Sequence, residues 1–90
     1  MNKKIIIESL AMDLKRVAVG LNRGSLGMAS RFKQEALKRS QELENEDLEP
    51  YLVKILSKTK LVLSSESERV AEDALMYSTL FQNFARKIST

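Results

Sequence analysis

Hydrophobic residues recur at steps of three and four along nearly the whole chain, and no stretch sustains the strict alternation of a half-buried strand. In the first segment Ile7, Leu10, Leu14, Val17 and Leu21 draw one apolar stripe, which predicts a helix over residues 3–21. A second helix, over 26–44, places Ala29, Phe32, Ala36 and Leu43 on one side. A third, over 48–63, places Leu48, Leu52, Ile55 and Val62 together. The last segment is the most regular, with Val70, Ala74, Tyr77, Phe81, Phe84 and Ile88 in a four-three alternation that predicts a helix over 66–88.

The joints between these segments carry their own signals. Gly20, Gly24 and Gly27 fall in one eight-residue stretch, where Asn22 or Gly24 can adopt the left-handed backbone that ends a helix and Ser25 can cap the next. A single rod through all three glycines is the competing arrangement, and each glycine inside a helix costs about 1 kcal/mol relative to alanine. Asp47 is a candidate N-cap with Pro50 tolerated in the following turn. Ser65 and Glu68 have the spacing of a capping box, which predicts a helix start there. Short connections force neighbouring helices to reverse direction, so the expected fold is all-α, a small antiparallel helical bundle of about four helices in one domain spanning residues 1–90.

Composition narrows the chemistry. The chain has 90 residues, with no Cys, His or Trp. Disulfides, thiolate or imidazole metal ligands, cysteine nucleophiles and histidine bases are therefore excluded. Glu8 interrupts the apolar run Ile5-Ile6-Ile7, too short for a secretory signal core, and no run of apolar residues is long enough to span a bilayer. The expectations are a cytoplasmic protein with no membrane partner, no cofactor and no metal. Carboxylates such as Glu8, Asp13, Glu68 and Glu72 lie beside the apolar stripes, where surface exposure leaves them ordinary acids, so enzymatic activity is not expected. The acidic run over 42–49 has neither the ligand spacing nor the glycine of a calcium loop.

Charge is segregated along the chain. Residues 1–41 carry nine Lys or Arg against three Asp or Glu, whereas the five charged residues of 42–49 are all acids. A basic half can neutralise phosphates, and Lys15, Arg16, Arg23, Ser25, Arg31 and Lys38 are the candidate nucleic-acid or phosphate contacts. Against this, Arg31 with Glu35, Glu35 with Arg39, and Lys38 with Glu42 have the spacing of ion pairs along a helix, which would make the same residues a solvated face. The glycine-rich turn at 20–27 could present amide groups to a phosphate, yet it lacks the Walker spacing and a preceding strand. A helix-turn-helix reading of the same region requires a shorter first helix and a tighter turn.

One further pattern points to association. Ile5, Met12 and Val19 repeat every seven residues on the side of the first helix opposite its main stripe. That helix either sits centrally among the others or meets another chain, and Leu61 and Leu75 lie off their own stripes in the same way. The sequence thus leads to a non-catalytic protein acting through a protein partner or as a homo-oligomer, with RNA or DNA binding by the basic half as the alternative.

Overall fold

The computed structural model of the chain describes residues 2–88, which form four α-helices: α1 (Lys3–Asn22), α2 (Leu26–Glu44), α3 (Pro50–Leu63) and α4 (Val70–Lys87). The fold is the all-α bundle that the periodicity predicts, and no strand occurs among the described residues. Asn2 caps α1, its side-chain oxygen accepting the Lys4 N–H at 2.7 Å. The helix ends where Gly24 takes φ +72°. Ser25 N then donates to Gly20 O at 2.8 Å and Gly24 N to Leu21 O at 3.1 Å, the paired bonds of a Schellman turn. This turn separates α1 from α2, so the two do not form one rod.

Two predicted helix starts move inward. The third helix begins at Pro50 rather than near residue 48, because a residue before proline is driven to extended backbone, and Glu49 sits at φ −63°, ψ 148°. Leu48 is consequently a half-buried residue of the connection rather than part of the α3 stripe. The capping box at Ser65 and Glu68 does not form. Ser65 Oγ instead accepts the Ser67 N–H at 3.0 Å and Ser67 Oγ accepts the Arg69 N–H at 3.2 Å. These local side-chain turns hold residues 65–69 out of the helix until Val70.

α1 packs along its length against α2 on one side and α4 on the other, while α3 touches α2 and α4 more sparingly. Small residues permit the close approach of α1. Gly20 lies against the backbone of Ala29, and Ser78 Oγ of α4 donates to Ala11 O of α1 at 2.6 Å. Ile7, Leu10, Leu14 and Val17 meet Leu43, Leu52, Phe81 and their neighbours in one core. α3 meets the C-terminal end of α2, where Lys60 pairs with Glu44. The buried side of α3 is Leu52, Ile55, Leu56, Thr59 and Leu63, with Val62 only half-buried.

Candidate interaction face on the first helix

At 100° per residue, α1 presents three sides to the rest of the molecule and one to solvent. Ile7, Leu10, Leu14 and Val17 point to the core, Asp13 and Gly20 toward α2, and Ala11 and Ala18 toward α4. The remaining strip is Ile5, Glu8, Met12, Lys15 and Val19. Ile5 and Met12 are 50% and 46% exposed, and Val19 is half-buried. The first helix is thus enclosed on three sides and leaves the predicted second apolar side uncovered. Leu75, 47% exposed, belongs to the same face. α4 runs antiparallel to α1, with Ser78 opposite Ala11 and Gln82 beside Glu8 and Met12, so Leu75, one turn before Ser78, is level with Lys15.

Two grooves flank this strip. One, of about 390 Å³, lies on the α2 side and is bordered by Ile5, Glu8, Ser9, Met12, Asp13, Arg16 and Arg39. The other, of about 110 Å³, lies on the α4 side between Glu8, Met12, Lys15, Ser78 and Gln82. The floor of the larger groove departs from the sequence reading, which places Asp13 at the surface. The Asp13 residue is only 7% exposed. Burial pushes its carboxyl above the usual carboxylate range; Arg39 and Arg16 oppose that shift and Glu35 adds to it. Arg16 Nη1 approaches Asp13 Oδ1 at 3.8 Å, beyond hydrogen-bond distance, and the buried Arg39 Nε has no hydrogen-bond partner among the described residues. A second seven-residue repeat, Ile6, Asp13 and Gly20, was the signal for this placement: it marks the side of α1 that α2 covers.

The candidate phosphate contacts are divided by the fold. Arg16 and Arg31 converge, their guanidinium carbons lying 5.2 and 5.6 Å from the centre of the Phe32 ring. Phe32 is therefore half-buried between two cations rather than fully in the core. Lys38 is two turns along the same side of α2 as Arg31 and is exposed. Lys15 turns to the α4 side, and Arg23 and Ser25 lie in the turn beyond the end of α1. Ser25 takes the N-cap position of α2 without a side-chain cap bond. None of the three ion pairs expected within α2 forms. Arg39 reaches Glu42 at 3.0 Å instead, and Arg31 and Lys38 have no carboxylate within 4.0 Å among the described residues.

Sequence reasoning missed several exposed apolar side chains, notably Leu26, Tyr51, Val53 and Met76. Tyr51 stacks on Phe84 at 6.4 Å, which gives it a partner within the chain. Leu61, by contrast, is 72% exposed, as its position off the α3 stripe predicts. Among the described residues no helix is long and apolar enough to cross a membrane, and no three potential ligand side chains gather to hold a metal ion. No protein-family model, curated protein or solved structure matches the chain.

Proposed function

We propose that this protein is a non-catalytic interaction module that binds another polypeptide through the solvent side of α1. One observation carries the reading: Ile5 and Met12 repeat at heptad spacing on a helix already packed on its other three sides, and both keep about half their surface in water beside Leu75. Leaving such a strip open forgoes apolar burial worth roughly 1 kcal/mol or more per side chain, which a partner would recover. No cofactor is needed for this role. The test is gel filtration of extract from cells producing the chain. Wild type should elute well above its 10.2 kDa mass, and Met12→Lys with Val19→Lys should return it to the monomer position. Identical elution of wild type and variant contradicts the reading.

A second reading rests on the convergence of Arg16 and Arg31 about Phe32, with Lys38 on the same side of α2. Arg31 and Lys38, which have no carboxylate within 4.0 Å among the described residues, can contact phosphates, and the set fits an RNA or DNA backbone better than a base-reading surface because Phe32 is already covered. Fluorescence anisotropy with random single-stranded RNA and duplex DNA at about 50 and 200 mM salt tests it. Binding should fall steeply with salt and vanish in Arg16→Glu with Arg31→Glu. Absence of binding at the lower salt removes the nucleic-acid reading.

A further inference from the structure

The strip that α1 exposes has a charge pattern that specifies its occupant. Met12 is at its centre, with Ile5 and Val19 each seven residues away. Glu8 precedes Met12 by four residues and Lys15 follows it by three. On the helical wheel both fall on the α4 side of Met12, whereas Ser9 and Arg16 fall on the α2 side; Lys15 borders the groove shared with Ser78 and Gln82, Arg16 the one shared with Arg39, and Glu8, nearer the crest of the strip, borders both. A strip with an acid before its centre and a base after it, on one flank, is complementary to itself when reversed.

We infer that the solvent side of α1 pairs with the same side of α1 in a second copy of this chain, antiparallel and related by a two-fold axis at Met12. The inference rests on the interaction reading above and names its partner. In that arrangement the two-fold axis is perpendicular to the plane of the paired helices, so each flank meets the same flank of the partner copy. Glu8 lies about 6 Å before Met12 along the helix and Lys15 about 4.5 Å after it. Reversal therefore brings each Glu8 to the level of the other copy's Lys15, within about 1.5 Å along the axis. Two symmetric ion pairs flank a contact of Met12 on Met12, with Ile5 meeting Val19 at either end.

The parallel alternative fails on the same residues. With the two-fold axis along the helices, opposite flanks meet at equal height, and Lys15 of one copy would face Arg16 of the other. Charge thus selects the antiparallel pairing. The fold adds a further contribution, because the antiparallel axis places both α4 helices on one side of the pair. Leu75, level with Lys15, then approaches the second copy near the level of its Gln82.

The test is sedimentation velocity of the purified full chain across about 1 to 500 µM. Wild type should pass from monomer to a species of twice 10.2 kDa as concentration rises. Glu8→Lys and Lys15→Glu should each weaken the dimer by about tenfold, since either change converts two attractive pairs into two repulsive ones. The combined exchange should restore wild-type association. Glu8 and Lys15 are exposed, so thermal unfolding followed by circular dichroism should show all variants folded. A wild type that stays monomeric throughout overturns the inference, as do single variants that dimerise like wild type, a combined variant that stays weak, or a Lys15→Glu chain that dimerises more tightly, the outcome of parallel pairing. A monomeric purified chain together with a Met12-dependent large species in extract rejects self-pairing alone. A Met12→Lys, Val19→Lys chain that elutes unchanged from extract rejects the interaction reading itself.

Discussion

Gly20 and Gly27 are seven residues apart on either side of one turn, and replacing each with alanine should change stability in opposite directions. A Cβ at Gly20 would lie 2.9 Å from Ala29 N, 3.2 Å from Ala29 Cα and 3.3 Å from Ala29 Cβ. Carbon contacts settle near 3.5 to 4.0 Å, so α1 and α2 would have to separate by roughly half an ångström, and the obstructing atoms are backbone that cannot rotate away. Overpacking of this kind costs about 1–3 kcal/mol, offset by at most about 1 kcal/mol of improved helix propensity. The expected net loss for Gly20→Ala is about 1–2 kcal/mol, or roughly 5–12 °C in a domain of this size. Gly27 is in the first turn of α2, and a Cβ there meets no atom of a neighbouring element within 4 Å among the described residues. Gly27→Ala should therefore stabilise the protein by a few tenths of a kcal/mol up to about 1 kcal/mol. Thermal and urea unfolding of the two variants beside wild type is the assay. A Gly20→Ala protein as stable as wild type would refute the close approach of α1 and α2.

Three other perturbations follow from the packing. Asp13 has a folded pKa raised by burial, so between its unfolded and folded values the native state binds more protons and stability falls as pH rises through that window. Asp13→Asn should consequently be more stable than wild type at pH 7, with the gap closing toward about pH 3 in urea titrations; a less stable variant at neutral pH would show that the arginines outweigh desolvation. Ser78→Ala removes the buried 2.6 Å bond to Ala11 O and should cost about 0.5–1.5 kcal/mol in chemical denaturation, an unchanged midpoint counting against it. Leu14→Ala empties a fully buried position on α1 and should cost about 2–5 kcal/mol, whereas a loss below about 1 kcal/mol would place Leu14 outside the core.

The stripe that periodicity drew on α1 is its buried side, apart from half-buried Leu21, because Ile7, Leu10 and Leu14 have few other places to go once the helices reverse. On α4 the buried side is Val70, Ala74, Ser78, Phe81 and Ala85, and Tyr77, Phe84 and Ile88 of the predicted stripe pack half-buried at its edge. Gly24 was legible as the break, since its left-handed backbone is costly for any residue with a Cβ. α3 starts two residues later than the periodicity predicts because Pro50 holds Glu49 extended, so that Glu49 rather than Asp47 takes the N-cap position. Ser65 was ambiguous by nature: its hydroxyl can cap a helix or close a local turn, and here it closes a turn. The burial of Asp13 depends on which sides of α1 and α2 are covered, information that exists only after packing. Of the candidate site, Ile5 and Met12 were readable because they repeat every seven residues; the convergence of Arg16 and Arg31 on Phe32 was not, because it joins two helices.

Coverage of the solvent side of α1 by another polypeptide can be measured directly in living cells with a photocrosslinking benzoyl-phenylalanine placed at Met12, compared with the same probe at exposed Lys58 on α3. A discrete covalent adduct is expected from position 12 and none from position 58. No adduct from position 12, or the same diffuse products from both positions, would contradict that coverage.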